Sequence, residues 1–409
     1  MIDREKYISD ILHYQGIHLL KLITGIRRCG KSTVLEMIRD ELNRRRGGDE
    51  AAILYMNFEL LEFQHIVDDN GLREHLRQLD YRKFQHIFFD EIQNVKAWEK
   101  VVNGLHAEKR FDIYVTGSNS TLLSGELATR IAGRYVQFRI QTLSFNEFAA
   151  FKGGDAKQGR DVSARALFEQ YLELGGFPIV AAAGTTPEQS RRLVEDIYNS
   201  VVLKDVIARN KIRAPDKLDR LARFVAMNVG NRFSAQSIVN YVKSQSRSMD
   251  IDTAYAFLRG LEESCVITKV PRYDVKGKEV LKTQEKYYLA DHSLLSALTG
   301  STAGYVGGML ENIVHQELTH RGWRVYVGNG SESEIDFVAL KSGETAFIQV
   351  AYKLDSPRTV EREFRALAKI PESGEKIVLT MEEKFKSPLS GVRAMYLPEW
   401  LLKKEKTGG

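Results

Sequence analysis

The sequence predicts an α/β fold that begins with a parallel sheet, and three observations lead to this prediction. The apolar run LLKLIT is followed by the glycine-rich segment GIRRCGKST at residues 25–33 and then by helical sequence. A second apolar run, HIFF, ends in the acidic pair Asp90 and Glu91. Continuous apolar strands that alternate with helices are typical of parallel sheets. A chain of 409 residues is too long for a single hydrophobic core, so roughly two to four domains are expected.

Composition excludes several classes of protein. Hydrophobic residues at 43% and charged residues at 28% are typical of globular proteins and not of disordered or fibrous ones. The N-terminal segment lacks the order of a signal peptide, and no apolar run reaches the about 20 residues of a membrane span. We therefore expect a cytoplasmic protein that does not enter the membrane. Cys29 and Cys265 are too far apart in sequence to indicate a disulfide framework or a zinc site.

The segment after the first apolar run matches the phosphate-binding motif GxxxxGK[ST] through Gly25, Gly30, Lys31 and Ser32. In such loops backbone N–H groups surround nucleotide phosphates, the lysine contacts the β and γ phosphates, and the hydroxyl binds Mg²⁺. A strand before the motif and a helix after it favour this interpretation over a simple glycine turn. The predicted nucleotide-binding residues of this segment are Gly25, Ile26, Arg27, Arg28, Cys29, Gly30, Lys31, Ser32 and Thr33, and Asn57 further along the chain joins them.

The acidic pair after the second apolar run completes the predicted catalytic centre. Ligand sites of α/β proteins lie at the carboxyl ends of the strands, which is where Asp90 and Glu91 are expected. We expect Asp90 to hold Mg²⁺ through water and Glu91 to orient the attacking water. The alternative is that the pair is only a polar helix cap.

Two further strand ends and two arginines supply candidate residues. The run FDIYVTGSNS places Ser118 and Asn119 where a polar side chain could sense the γ-phosphate, and Asn119 enters the prediction as a catalytic residue. Asn57 ends the strand AILYMN and is expected to hydrogen-bond Glu91, although a strand-end Asn also caps turns. Arg134, in preference to Arg130, is the candidate that neutralises phosphoryl charge on a neighbouring subunit; the alternative is an ordinary surface ion pair.

With these segments the chain resembles a family of bacterial and archaeal AAA-type ATPases that carry a poorly characterised C-terminal extension. The matching stretches are GIRRCGKST, FFDEIQNVKAWEKVV, TGSNSTLLSGELATRIAGR, LSFNEF, YLELGGFPIV and IYNSVVLKDVIARNKIR. The resemblance spans most of the chain. It implies an AAA+ core that uses ATP and Mg²⁺, with Lys31, Asp90, Glu91 and Asn119 in their usual places. It also implies a homo-oligomer, either a hexameric ring or a smaller assembly.

Four domains are predicted along the chain: the AAA+ core at 1–151, a helical lid at 162–213, a winged-helix domain at 214–297 and a nuclease-like domain at 303–409. The winged helix is predicted from three helical segments followed by a hairpin, and basic residues concentrate in the hairpin. These are Lys269, Arg272, Lys276, Lys278 and Lys282. The third helix offers few base-reading side chains, so contact with the DNA backbone is favoured over sequence reading. A pure protein-interaction role is the alternative.

The segment from MLENIVHQEL to FIQVAYKL resembles the core of PD-(D/E)xK nucleases, in which acidic residues and a lysine gather Mg²⁺ and a water. Glu311 and Asp336 match the first two positions of that pattern. Gln349 stands where a third acid is usual, and Ala351 stands where the lysine is usual. Lys353 could replace the lysine only from one position further along the same strand face. An amide binds Mg²⁺ more weakly than a carboxylate, so weak or absent cleavage is expected.

The leading hypothesis is an oligomeric AAA+ ATPase, with a restriction-endonuclease-like C-terminal domain, that couples Mg²⁺-ATP hydrolysis to DNA binding or remodelling, branched DNA included. The net charge of +5 is modest, but residues 203–232 contain eight Lys or Arg against three Asp, which favours contact with phosphates. One alternative is a nucleotide-dependent switch that recruits a protein partner. The other is an ATP-controlled DNA nuclease.

Overall fold

A computed structural model describes residues 4–45, 52–117, 133–153, 163–182, 184–210, 212–245, 247–277, 279–329, 334–371 and 373–403. The chain divides into two compact units, one formed by residues 1–141 with 263–265 and the other by 142–262 with 266–409. Ser118, Asn119, Arg130 and Lys278 lie outside the described residues, as does the side chain of Lys282. Within the described ranges, no helix has the length and apolar character needed to cross a bilayer.

The first unit is built on a five-stranded sheet. Its elements are α1 (Glu5–Leu12), β1 (Leu20–Thr24), α2 (Lys31–Arg45), β2 (Ile53–Asn57), α3 (Asp69–Gln78), β3 (His86–Asp90), α4 (Glu99–Ala107), β4 (Asp112–Gly117) and β5 (Tyr135–Arg139). The strand order is β2-β3-β4-β1-β5, and every pairing is parallel. The predicted parallel α/β core is confirmed.

Burial explains why the strands of this sheet are apolar. Every residue of β1, β3 and β4 is buried, because helices cover the sheet. Phe89, Trp98 and Val102 belong to a hydrophobic cluster that joins β3 to α4. Parallel strands end at the same edge, so the carboxyl ends of β1, β3 and β4 bring the glycine-rich loop and the acidic pair together.

The second unit begins with helices and ends in a mixed sheet. Its elements are α5 (Phe145–Gly153), α6 (Ala164–Leu174), α7 (Pro178–Ala182), α8 (Pro187–Val201), a π-helical segment (Val202–Ile207), α9 (Ala208–Asn210), α10 (Pro215–Met227), α11 (Ala235–Ser244), α12 (Ile251–Glu263), β6 (Ile267–Asp274), β7 (Glu279–Leu289), α13 (Ser293–Thr299), α14 (Val306–His320), β8 (Arg324–Asn329), β9 (Glu334–Lys341), β10 (Glu344–Ala351), α15 (Pro357–Ala368), β11 (Glu375–Thr380), β12 (Arg393–Tyr396) and α16 (Leu397–Leu402).

The hairpin β6–β7 belongs to the same sheet as the strands that follow it. The seven strands are ordered β12-β11-β10-β9-β8-β6-β7, and β6 pairs with β8 in parallel from Arg272 opposite Val327. Three helices, α10 to α12, precede the hairpin as the sequence predicts. The hairpin, however, continues the C-terminal sheet, a pairing that the sequence analysis did not anticipate.

Two adjacent glycines allow the end of α6 to approach the turn after β7. Gly175 has φ +84°, and a Cβ atom on it would lie 2.5 Å from the side chain of Ser293. The N–H of Gly176 donates to Oδ2 of Asp291 at 2.9 Å. The segment YLELGGFPIV therefore needs both glycines for a close backbone approach.

Candidate functional site

The loop between β1 and α2 has the backbone conformation of a phosphate cradle. Gly25 and Gly30 have positive φ values of 151° and 98°, and Arg28 adopts the left-handed region at 68°. A Cβ atom on Gly25 would lie 2.3 Å from the carbonyl oxygen of Ile140, so no larger residue fits there. The nine predicted nucleotide-binding residues of the glycine-rich segment form this loop and the first turn of α2, and the tenth, Asn57, ends β2. A helix N-terminus of this kind attracts anions.

Lys31 is the first residue of α2 and points its side chain back into the loop. Its Nζ donates to the carbonyl oxygens of Gly25 at 3.2 Å and Ile26 at 3.3 Å. The same atom lies 3.8 Å from Oε1 of Glu91. Lys31 is buried, so its charge acts at short range inside the loop.

Asp90 accepts hydrogen bonds from several elements at the edge of the sheet. Tyr55 Oη donates to Oδ2 at 3.2 Å, Asn57 Nδ2 donates to Oδ2 at 3.0 Å, and the hydroxyl of Thr116 donates to Oδ1. Burial raises the pKa of Asp90, while hydrogen bonds from Thr116 and Ser32 act in the opposite direction. The hydroxyl of Ser32 and the carboxylate of Asp90 are therefore in contact, as the predicted metal site requires.

Glu91 follows Asp90 in the left-handed region, with φ 52°. Its N–H donates to Oγ1 of Thr116 at 2.9 Å, and its Oε2 accepts from the side-chain amide of Gln93. A non-glycine residue with positive φ is strained, and such strain is often found at functional sites. The conformation directs the carboxylate of Glu91 towards Lys31, which places the two candidate catalytic groups side by side.

The predicted bond from Asn57 to Glu91 is replaced by other contacts. Within the described part of the chain, Asn57 donates to Asp90 and the amide partner of Glu91 is Gln93. Sequence reasoning missed Gln93, Tyr55 and Thr116. Thr116 carried a detectable signal, because it is the polar residue that ends the apolar run YVT in the strand next to β3.

The buried side chain of Arg4 stabilises the loop between β1 and α2. Its guanidinium donates to the carbonyl oxygens of Cys29 at 3.1 Å and Gln141 at 3.0 Å, and Arg4 is 4% exposed. Burial raises the pKa of the Cys29 thiol, against the opposing effect of the positive charges of Lys31 and Arg4. The thiol is therefore neutral at physiological pH, and Cys29 acts as a packing residue under the loop.

Arg134 lies at the other end of β1 from the phosphate loop. It is exposed at the start of β5, and its carbonyl oxygen accepts from the N–H of Leu20 at 2.8 Å. The strand of five residues separates it from the loop by about 15 Å. Arg134 therefore does not contact the loop of its own chain.

A second group of predicted residues comes together in the C-terminal sheet. Oε2 of Glu311 on α14 and Oδ1 of Asp336 on β9 lie 3.0 Å and 3.6 Å from the ammonium of Lys286 on β7. Oε1 of Glu334 lies 2.7 Å from the same ammonium. The hydroxyl of Tyr288 donates to Oε2 of Glu311 at 3.1 Å. We call Lys286, Glu311, Glu334 and Asp336 the acidic cluster.

The other two nuclease-like candidates have different positions. The side-chain oxygen of Gln349 accepts from the N–H of Asp336 at 3.2 Å, so Gln349 borders the acidic cluster. Lys353 is exposed, and its ammonium lies 5.5 Å from the ring centroid of Tyr352. The lysine among the carboxylates is Lys286 and not Lys353. Sequence reasoning missed Lys286 because it lies in the hairpin, before the nuclease-like segment.

Burial dominates the electrostatics of the acidic cluster. It raises the pKa of Glu311 to about 8, with a further contribution from Asp336, and Lys286 acts in the opposite direction. It also raises the pKa of Asp336 to about 6. Burial lowers the pKa of Lys286, but the attraction of Glu311, Asp336 and Glu334 outweighs this effect and the net pKa is raised. Lys286 is therefore charged.

Comparison with known proteins identifies the first part of the chain. Residues 18–149 match a family described as "AAA domain", and residues 165–304 match a "Domain of unknown function (DUF8612)". An uncharacterized protein of Haemophilus influenzae is 35% identical over 404 residues, which cover 98% of this chain and 99% of the relative. An uncharacterized protein of Methanocaldococcus jannaschii is 29% identical over 359 residues, which cover 86% and 78% of the two chains.

Among solved structures, the chain is similar to a Walker-type ATPase of Pyrococcus abyssi. The TM-score is 0.48 at 17% sequence identity, and the match covers 73% of this chain and 96% of the other.

Proposed function

Because this chain belongs to the same family as its full-length Haemophilus influenzae relative and carries an AAA-type P-loop ATPase domain, we propose that it hydrolyses Mg²⁺-ATP. The observation that carries the proposal is the meeting of Lys31, Asp90 and Glu91 at one edge of the parallel sheet. Lys31 binds the terminal phosphates, and Glu91 orients the attacking water. Phosphoryl transfer needs this positioning and charge stabilisation more than it needs covalent participation by the protein.

The residues present fit a magnesium ion. Mg²⁺ prefers oxygen ligands and commonly combines one or two protein groups with phosphate oxygens and water. The hydroxyl of Ser32 and the carboxylate of Asp90 supply such oxygens and are in contact with each other. Magnesium bound there would neutralise charge on the phosphates. Tyr55, Asn57 and Thr116 fix the orientation of Asp90 through the hydrogen bonds they donate to it.

Two substitutions test the ATPase. Lys31→Ala removes the phosphate contact and is expected to abolish both nucleotide binding and turnover. Glu91→Gln keeps the size of the side chain but removes its ability to polarise water, so nucleotide binding is retained and kcat falls at least a hundredfold. Binding is measured by titration with a fluorescent ATP analogue and turnover by phosphate release. Wild-type turnover in both variants would refute the assignment.

We further propose that the ATPase acts as a homo-oligomer in which Arg134 serves a neighbouring subunit. Its distance from the loop of its own chain supports a role in trans. Arg134→Ala is expected to lower kcat without changing the affinity for ATP. Mixing an excess of Arg134→Ala with Glu91→Gln chains should restore some turnover, because each variant supplies what the other lacks. Absence of any recovery in mixtures that are shown to assemble would contradict the role in trans.

DNA is the proposed substrate, contacted through residues 214–297 as a winged helix and through 303–409 as a nuclease-like fold. The same proposal includes an AAA+ core at 1–151 and a helical lid at 162–213. The order of α10 to α12 and the β6–β7 hairpin supports the winged helix, and the helix α14 with strands β8 to β10 supports the nuclease-like fold. Salt-dependent binding to single-stranded, duplex and branched DNA, with stimulation of ATPase turnover, tests the proposal.

A nucleotide-dependent switch that recruits a protein partner is the second candidate. It is favoured by ion pairing of the basic residues, because paired cations attract phosphates less. Lys269 Nζ lies 2.8 Å from Glu285 Oε1, and Arg223 Nε lies 2.8 Å from Asp219 Oδ2. No DNA binding at low salt and no stimulation of turnover by any DNA would favour this candidate.

A further inference from the structure

The acidic cluster contains a cation that the protein itself supplies. The Lys286 ammonium lies 3.0 Å, 2.7 Å and 3.6 Å from carboxylate oxygens of Glu311, Glu334 and Asp336. The Lys286 side chain is 1% exposed. A buried ammonium is stable only when its charge is compensated, and these three acids provide the compensation.

The carboxylates around Lys286 are the type of ligand that a divalent metal requires. Mg²⁺ and Mn²⁺ bind carboxylate oxygens at about 2.1 Å in an octahedral arrangement. An ion in contact with Glu311 and Asp336 would have to occupy the space in which the ammonium lies. In the described ranges, no group of three or more His, Cys, Asp or Glu residues is arranged to hold a metal ion.

The charges of the acidic cluster also disfavour a bound divalent ion. Glu311, Glu334 and Asp336 carry three negative charges when ionised, and Lys286 supplies one positive charge. Arg232 supplies a second, since its Nε lies 2.5 Å from Oε2 of Glu334. The net charge of the ionised group is then about one negative unit, which attracts a divalent cation only weakly. Without Lys286 the net charge becomes two negative units, which a single divalent cation neutralises.

The surrounding contacts hold Lys286 in place. It lies on β7, whose backbone forms a bridge from Lys286 to Arg232. The hydroxyl of Tyr288, two residues further along the same strand, donates to the Glu311 oxygen that contacts the ammonium. A Cβ atom on Gly230 would lie 3.0 Å from that carboxylate, so the glycine keeps the space that Glu311 occupies. The hairpin and the carboxylates are thus packed as one polar core.

We propose that Lys286 is the resident cation of the acidic cluster, which excludes divalent metal ions in the native chain, and that removing its charge creates a metal site bounded by Glu311, Glu334 and Asp336. The proposal rests on these contacts and is independent of the ATPase activity. It gives a physical reason why a fold of this kind would bind DNA without cutting it, because metal-dependent phosphodiester cleavage needs the ion that Lys286 displaces.

The test measures Mn²⁺ binding to the full chain, without nucleotide, by electron paramagnetic resonance of the free ion. All variants share any Mn²⁺ binding that depends on Asp90. Beyond that contribution, Lys286→Gln is expected to gain one Mn²⁺ site per chain, with a Kd at least tenfold lower than that of any further binding by the wild type. Lys376→Gln is the control, because Lys376 also lies in this sheet but is only half-buried and donates to the carbonyl of Ile370. The added site should disappear in Lys286→Gln with Asp336→Asn.

Two results would overturn the proposal. One is a folded Lys286→Gln protein, verified by circular dichroism, that binds no more Mn²⁺ than the wild type. The other needs no Lys286 variant: a wild-type Mn²⁺ site that Asp336→Asn removes would mean that metal and ammonium coexist. Equal Mn²⁺ binding by the wild type and Asp336→Asn supports the proposal even if Lys286→Gln fails to fold. Loss of ATPase activity affects neither outcome.

Discussion

Thr116 is the side chain on which both acidic residues of the first unit depend. Its hydroxyl donates to Asp90 and accepts from the N–H of Glu91 at 2.9 Å. Thr116 is fully buried, so water cannot replace either bond. One hydroxyl therefore contributes both to the orientation of the Asp90 carboxylate and to the strained backbone conformation of Glu91.

Thr116→Val is expected to lower the free energy of unfolding by about 2–4 kcal/mol, because it removes the acceptor of the buried Glu91 N–H and the Thr116 donor to Oδ1 of Asp90, while Tyr55 and Asn57 still donate to Oδ2. The kcat for ATP should fall at least tenfold, while nucleotide affinity changes little, because the loop around Lys31 is intact. Denaturant unfolding and phosphate release provide the measurements. Thr319→Val is the control: its hydroxyl donates only to the helix carbonyl of His315, so a near-neutral effect is expected. Equal destabilisation by both variants would contradict the role of Thr116.

The buried thiol of Cys29 gives a prediction for the native phosphate loop. Burial raises its pKa, so the reactive thiolate is scarce at neutral pH, and the side chain is fully buried. The native chain should therefore react with a disulfide reagent at pH 7 at least a hundredfold more slowly than the unfolded chain. Modification of Cys29 is followed by peptide mass spectrometry. Rapid modification without unfolding would show that the loop opens on its own.

The candidate residues differ in how far sequence reasoning could locate them. The residues of the phosphate loop are adjacent in sequence, and backbone geometry alone fixes their arrangement, so the motif predicts them together. Thr116 and Lys286 act through tertiary contacts. The alignment of β3 with β4 places Thr116 beside Asp90, and a hairpin 25 residues before Glu311 brings Lys286 to that carboxylate. The polar end of an apolar run marks Thr116 as a candidate, but no local pattern records which residues Thr116 and Lys286 pair with.

At the scale of elements, the turn between α6 and α7 is fixed by close contact and not only by backbone conformation. Gly175 and Gly184 both have positive φ, at 84° and 57°. A Cβ atom on Gly175 would lie 2.5 Å from Ser293, whereas one on Gly184 would meet no atom of the described residues within 4 Å. The two positions therefore separate the cost of strained backbone from the cost of a steric clash.

Gly184→Ala is expected to cost about 1 kcal/mol in the free energy of unfolding, the usual effect of a side chain at positive φ. Gly175→Ala should cost at least about 2 kcal/mol more, because the turn must move away from Asp291 and Ser293. Thermal and denaturant unfolding measure both values. Similar costs at the two positions would mean that the contact between α6 and the turn after β7 adds little stability.

The hairpin β6–β7 shows the limit of prediction at this scale. Its two strands and its position after three helices follow from alternation and turn residues, so its existence could be predicted. Its parallel pairing with β8 could not, because strand β7 and the helices α13 and α14 separate the paired residues Arg272 and Val327 in sequence. The separation of 214–297 from 303–409 is a boundary in sequence, whereas the strands on its two sides form one sheet.

At the scale of the whole molecule, the two candidate sites belong to different compact units. The loop, Asp90 and Glu91 contact residues of the first unit, while Lys286 contacts acids of the second. A ligand stabilises the unit that holds it, by about 2.7 kcal/mol at a hundredfold excess over Kd. Mg²⁺-ATP should therefore slow hydrogen exchange in β1, α2 and β3 more than in the second unit.

The same measurement on Lys286→Gln should show the complementary pattern. Exchange is expected to accelerate in β7, α14 and β9, because three carboxylates lose their shared cation, while the first unit keeps its nucleotide-dependent protection. Lys31→Ala should remove that protection and leave the second unit unchanged. If ATP protected β7 and β9 as strongly as β1, the nucleotide site and the acidic cluster would be energetically coupled. ATP hydrolysis would then change the stability of the acidic cluster, and the nucleotide site and the C-terminal sheet would be allosterically coupled.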